Sequence, residues 1–451
     1  MVYILIAAIF LILTQIFKFA AIWTIAFPVL FLIACYLHYF VASKSFGLAK
    51  LAKTNTFLVI FIMLNVISIL RSNDPRHDIS YAAYMIFTIS IFAATFGAAI
   101  FKFFNIKKLD SDTILKSFLY AVVLPYALFS AANFLLYFMG IRLLKSSAFN
   151  GDIVLSKAVM LSYFGINMKR IEFPFVNGFN SYAVYVGALL SITMPLATLV
   201  KKHRLITRGS SIIFVATILC TDSRAALITP ILITIFLWFI RNKKDFSPGY
   251  RFLSLIIIVG PVLFLSLVPF LISTLGLEAA LSRSSGDIES GNSRFLIWAI
   301  CAAQFLAFKP MDIIGYGEFG HLGSGASKLW AYLFGSYNDA ELTNPHNTMF
   351  SLIFDYGYIG LLVYICIVWQ CLGRLRLIWQ HNRPMAFCLF SFMLYALVAG
   401  ISEALGGMYE FNFMLVFYMI VLVINIYYYL LRRRIAATEI AMVAALEAEE
   451  K

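Results

Sequence analysis

The chain has 451 residues, 62% of them hydrophobic and 13% charged, with a formal net charge of +13. Folded soluble proteins leave far more polar surface to be covered, so the soluble globular classes are excluded and an all-α, polytopic integral membrane protein remains. The positive charge does not point to a nucleic-acid partner, because the lysines and arginines collect between apolar runs, where membrane insertion favours them on cytoplasmic loops.

Apolar stretches near the length that crosses a bilayer predict twelve spans. They lie at about 2–17, 20–41, 56–71, 80–104, 115–140, 180–200, 210–221, 225–240, 251–275, 348–371, 386–404 and 412–431. Only Lys18 separates the first two, and one long element kinked at Pro28 is the alternative there. No small-residue cleavage site interrupts this start, so it reads as an anchor. The chain then divides into nine transmembrane helices over 1–275, a long periplasmic loop with amphipathic helices over 276–347, three further helices over 348–431 and a cytoplasmic tail over 432–451.

Basic clusters follow every second span: Lys44, Lys50 and Lys53; Lys102, Lys107 and Lys108; Lys201, Lys202, Arg204 and Arg208; Arg241, Lys243, Lys244 and Arg251; Arg374, Arg376 and Arg383; Arg432, Arg433 and Arg434. That regularity predicts one orientation, with both termini cytoplasmic and membrane lipids as the surroundings. Two outward segments are long, about 141–178 and 276–346, and the second carries four basic against seven acidic residues. The tail reads as a short amphipathic or frayed helix. The six cysteines form no C-x-x-C pair and the histidines no HExxH, so no metal site and no cofactor is expected.

The notable polar residues fall on the outer side. "TDSRAALITP" places Arg224 at the turn between spans seven and eight, and "GNSRFLIWAICAAQFLAF" sets Arg294 at the head of a loop helix capped by Asn292 or Ser293. "NPHNTMF" puts His346 and Asn347 where span ten re-enters the bilayer, and "RIEFPFVNGFNSYAVY" brings Arg170, Asn177 and Asn180 to the start of span six. Each has a plain structural reading. An arginine at a membrane edge snorkels to headgroups, Arg283 is a solvated loop charge, an interfacial histidine holds a hydrogen bond, and Gly357 and Gly360 allow close helix packing. Asp355 lies inside span ten, where a carboxylate is costly and belongs to a site or supports one. Three loops supplying Arg224, Arg294 and His346 to one face is what the plain readings leave unexplained.

Two arginines and a histidine without a metal cluster suit a lipid pyrophosphate. The guanidinium fork matches phosphate oxygens, its contacts strengthen as a diphosphate leaves, and an imidazole can take the proton of an attacking hydroxyl. Arg224, Arg294 and His346 are therefore the candidate catalytic residues. Asn347 is placed to orient the acceptor or the ring, and Asp355 to support from further down the helix.

"PHNTMFSLIFDYGYIGLL" (345–362), "DSRAALI" (222–228) and "NSRFLIWAI" (292–300) followed by "IIGYGEFG" (313–320) together resemble the bacterial O-antigen ligase and polymerase superfamily, membrane glycosyltransferases of the GT-C class. The resemblance covers about 175–370 and implies transfer of a glycan from an undecaprenyl-pyrophosphate-linked donor to an acceptor hydroxyl at the periplasmic face, without metal. It implies that Arg224 and Arg294 bind the pyrophosphate and that His346 is the base or acceptor organiser. Arg170, Asn177, Asn180, Asn347 and Asp355 stand as substrate-binding candidates, with Arg170 matching no family motif. The two enlarged outer segments resemble polymerase layouts, with a chain-length regulator as partner; the alternative is a ligase moving the polymer onto lipid A–core. A lipid-oligosaccharide flippase would show repeated halves and midplane charges, and a scaffold would leave the arginine–histidine set without a purpose.

Overall fold

The computed structural model describes residues 48–74, 78–106, 110–141, 158–260 apart from 172, 175, 177 and 178, and then 294–334, 341 and 343–449. The expected spans at 2–17 and 20–41, the second half of 251–275, and Asn177, Arg283, Asn292 and Ser293 lie outside them. The described residues are helical, with no strand among them. The principal helices are α1 (Leu48–Thr54), α2 (Thr56–Leu70), α3 (Ile79–Ile106), α4 (Ser111–Phe138), α5 (Asn180–Val200), α6 (Arg204–Thr221), α7 (Arg224–Ile240), α8 (Gly249–Gly260), α9 (Arg294–Leu306), α10 (Thr348–His381), α11 (Arg383–Ala399) and α12 (Phe411–Glu449). Among these residues six helices are long and apolar enough to cross a membrane, and five shorter ones are apolar as well. The chain is an all-α polytopic membrane protein.

Helix ends depart from the apolar runs for local reasons. Asp110 accepts the amide of Thr113 at 2.9 Å, so α4 starts at 111 instead of 115. Immediately before Pro125, which has no amide to give, α4 widens into a π turn at Leu119–Val123. Several basic residues lie within helices, Arg204 and Arg208 in α6, Arg374 and Arg376 in α10, and Arg432 to Arg434 in α12, whereas α5 and α7 end at Val200 and Ile240, just before their clusters. Arginine is a good helix former, and the alanine-rich tail continues α12 to Glu449 without a break. At the other extreme α11 stops at Ala399, short of 404, where Gly400 leads into the irregular segment 400–407.

The bundle packs around α5 and α12. The first lies against α6, α7 and α11; α10 contacts α2, α11 and α12; and α3 runs along α12. Buried amides pin this arrangement. Asn65 of α2 donates to the Tyr418 hydroxyl and accepts from that of Tyr356, both at 2.8 Å, which ties α2, α10 and α12 together. Asn425 donates to Asn55 at 2.8 Å. Between helices in lipid, such bonds replace the hydrophobic drive that water would supply.

The two ends of the bundle differ in charge. At one end Arg374 donates to the Thr54 carbonyl at 2.8 Å, Lys202 pairs with Asp112 at 2.9 Å, and Arg383 donates to the Arg241 carbonyl at 3.0 Å. The expected basic clusters thereby meet at a common end. The candidate site residues collect at the other.

Near that second end, α10 breaks at Gly357, which takes φ 72° and ψ −174°. A broken helix frees carbonyls, and in lipid these need partners. The glycine turn 315–320 supplies them: Tyr316 donates to the Phe354 carbonyl at 2.7 Å and Gly317 to the Asp355 carbonyl at 3.2 Å. The Asp355 carboxylate accepts the Gly320 amide at 3.0 Å. A Cβ at Gly357 would sit 2.3 Å from the Ile313 carbonyl oxygen, and one at Gly315 2.5 Å from the Gly357 nitrogen. Two chains approach here too closely for any side chain.

Gly357→Ala or Gly315→Ala should therefore lower detergent-solubilised stability by at least about 1–3 kcal/mol from backbone strain. Gly209→Ala in α6, with open space at its Cβ, should leave the melting temperature level or raise it. Equal melting temperatures for all three variants in scanning fluorimetry would contradict the docking.

Candidate functional site

The turn that carries His346 is built from its own sequence. The Asn344 side chain accepts the His346 amide at 2.7 Å and helps hold His346 at φ 48°, a left-handed conformation. Asn347 caps α10, accepting the Phe350 amide at 3.0 Å, while its Nδ2 donates to the Ile401 carbonyl at 2.8 Å. Thr348 continues the seam. Its amide donates to Gly400 O at 2.8 Å, its hydroxyl donates to Glu403 O at 2.9 Å, and the same hydroxyl accepts the Leu405 amide at 2.9 Å. The re-entry of α10 is thus stitched to segment 400–405. Helix α9 joins from the third side, where Trp298 Nε1 donates to the Pro345 carbonyl at 3.0 Å.

This stitching aims three ionisable side chains at one another. Arg294, the first described residue of α9, donates from Nη2 to Glu403 Oε1 at 2.8 Å. His346 Nδ1 lies 3.7 Å from the other oxygen, Oε2. All three are partly exposed, Glu403 by 20%. Burial raises the Glu403 pKa, but the Arg294 guanidinium and the His346 imidazole outweigh it and hold the carboxyl below the ordinary range. One bond from Nη2 uses one of the five N–H donors of the guanidinium, so Arg294 keeps capacity for an anion.

Glu403 is the functional residue that sequence reasoning misses. It falls at the end of an expected apolar span. The cost of a carboxylate in lipid, applied to Asp355, applies equally here and would have singled it out.

Arg224 opens α7 just after Asp222, which stands at φ 54°. Segment 158–171 braces that turn: Met160 donates its amide to Asp222 Oδ1 at 2.9 Å, and Ile171 donates to the Cys220 carbonyl at 2.9 Å. Arg170 is buried within this brace. Its Nε donates to Thr221 O at 2.8 Å and its Nη2 to Asn180 Oδ1 at 2.9 Å, so it faces the protein and not lipid headgroups. Beside Asn180, Ser181 donates to Glu410 at 2.6 Å. Tyr395 of α11 lies beside α5. A Cβ at Gly187 would collide with its hydroxyl and with the Ala226 carbonyl, and the tyrosine is near enough to Glu403 to interact with its charge.

The fold therefore brings Arg294, His346 and Asn347 together around Glu403, and sets Arg170 and Asn180 against the turn that leads to Arg224. Asp355 is placed differently. It is 1% exposed and holds the Gly320 amide and the Tyr409 hydroxyl, the latter at 3.3 Å, as the anchor of the glycine turn. Asn177 lies outside the described residues. Among the described residues no three His, Cys, Asp or Glu side chains cluster in a way that could hold a metal ion.

Residues 209–365, which contain Arg224, Arg294 and His346, match the family model described as O-Antigen ligase. Over 267 residues the chain is 24% identical to a Rickettsia conorii protein named as a candidate polysaccharide ligase. That alignment takes in 55% of this chain and 62% of the relative, so the chain spans less than two thirds of the relative's length. The segment that bears the arginine–histidine residues is thus similar to the O-antigen ligase family, and the chain shares a more distant likeness with a polysaccharide ligase.

Proposed function

We infer that this protein is a membrane glycosyltransferase that moves a glycan from undecaprenyl pyrophosphate to a sugar hydroxyl at the periplasmic face of a bacterial inner membrane. The observation that carries the reading is the convergence of Arg294 and His346, from separate elements, on Glu403. In the reaction the acceptor oxygen attacks the anomeric carbon while its proton passes to His346. The bond to the pyrophosphate oxygen breaks, and the leaving group keeps the electron pair. Arg294 and Arg224 meet the growing negative charge, which is where preorganised donors contribute most. Glu403, 3.7 Å from the ring nitrogen, orients the imidazole and stabilises it once protonated. Asn347, with both polar ends used inside the fold, positions the turn. Arg170 and Asn180 shape the wall beside Arg224.

Two acceptors fit this chemistry. The enlarged outer segments favour a second lipid-linked repeat unit, a polymerase reaction working with a chain-length regulator. The likeness to the O-antigen ligase family and to a polysaccharide ligase favours a ligase reaction, and lipid A–core is the acceptor it would load. Reconstitution with one defined acceptor at a time separates them.

Arg294→Ala and His346→Ala should insert at wild-type level yet lower transfer at least 100-fold, the lower end for losing a general base or an oxyanion partner. Glu403→Gln should lower turnover with little change in acceptor KM. Near-normal polysaccharide banding in the arginine and histidine variants rejects the assignment. With arginines supplying the charge, transfer by purified protein should survive EDTA; loss of activity restored by one added metal would overturn that.

Because the Glu403 pKa is lowered in the folded state, its ion pair stabilises fully above the ordinary glutamate value of about 4.3. That contribution disappears as pH falls through the lowered value. The difference in melting temperature between wild type and Glu403→Gln should hold from neutral pH down to that region and shrink below it. A difference that is flat across the acid range speaks against the ion pair.

A further inference from the structure

The charged end of the bundle, opposite the transfer site, holds a cavity of about 560 Å³ between α1, α10 and α12. Four basic residues line it, Lys53, Arg374, Arg432 and Arg433, together with Tyr428 and Tyr429. None of its described lining residues is acidic. Such a concentration of like charge is unfavourable by itself and calls for an anion.

Arg374 is not a loose surface side chain. Its Nη1 donates to the Thr54 carbonyl at 2.8 Å, where α1 ends, and its guanidinium carbon lies 5.3 Å from the centre of the Tyr428 ring. A guanidinium fixed by a backbone acceptor and an aromatic face arrives at a phosphate with little rotamer freedom left to lose. Arg432 and Arg433, one and two residues past the buried Leu431, are exposed at the same rim. Paired tyrosines beside paired arginines are the composition of a membrane–water boundary, apolar below and wet above.

We propose that this cavity binds the headgroup phosphate of an acidic membrane phospholipid, held on Arg374 and enclosed by Lys53, Arg432 and Arg433. Basic pockets between transmembrane helices on the cytoplasmic side are where such headgroups bind. Insertion favours basic residues on that side, which places the cavity in the leaflet away from the transfer site. The occupant would staple α1 to α10 and α12, and it has no part in glycosyl transfer. The proposal stands whether or not the assignment of that reaction does.

The full chain, purified in a zwitterionic detergent, is titrated with phosphatidylglycerol, with phosphatidylcholine and with inorganic phosphate, reading melting temperature and lipid adducts in native mass spectra. Phosphatidylglycerol should raise the melting temperature and be retained as an adduct, while the other two do neither. Each basic group near an anionic headgroup contributes about 1 kcal/mol, or about fivefold. The exposed double variant Arg432→Gln/Arg433→Gln should therefore need roughly 25-fold more phosphatidylglycerol for half-saturation. Lys243→Gln/Lys244→Gln removes the same charge from the same end but outside the cavity, and should match wild type. Equal weakening in both double variants would reduce the effect to surface charge and overturn the site. Stabilisation by inorganic phosphate matching that by the lipid would overturn the headgroup assignment.

Discussion

Glu403 shares its two oxygens between a guanidinium and an imidazole, and much of this end of the fold is arranged to present it. It sits in the irregular stretch 400–407 between α11 and α12, with no helix of its own to orient it. Its position comes from the seam with α10: Thr348 holds the backbone of Gly400, Glu403 and Leu405, and Asn347 holds that of Ile401. The residues that cap α10 are therefore the same ones that aim the carboxylate. A lone acid at a membrane edge is costly. Here the Arg294 guanidinium offsets that cost, and both it and the His346 imidazole are in turn held by the carboxylate.

A similar economy governs the glycine turn. Breaking α10 at Gly357 exposes carbonyls that lipid would leave unsatisfied, and the turn 315–320 covers them with its own amides and with the Asp355 carboxylate. The same docking fixes where the segment after α9 lands, while Trp298 fixes where α9 begins its descent. Arg294 is thus held at both ends of its own element, though the element itself is only thirteen residues long.

Charge is distributed with equal consistency. The basic clusters that punctuate the apolar runs converge at one end, tied by Arg374 to Thr54, Lys202 to Asp112 and Arg383 to Arg241. At the other end Arg170 and Arg294 are turned toward protein groups. An arginine at a charged loop and an arginine buried against protein groups look alike in a string of letters. Their partners distinguish them.

Composition and the spacing of apolar runs were enough to determine the class of fold and where its described membrane helices lie, because lipid imposes one length and one chemistry on anything that crosses it. The motifs around Arg224, Arg294 and His346 were legible as well, since each opens or caps a helix and such positions carry local signatures. Helix ends were less so. Arginine and alanine continue α10 and α12 beyond the apolar edge, and a hydropathy boundary has no information about that. Only tertiary structure decided that Glu403 joins Arg294 and His346, that Asp355 serves the glycine turn, and that Arg170 faces inward. Each of these depends on contacts between residues far apart in the chain. Hydrogen-bond geometry sets them, and no periodicity records it.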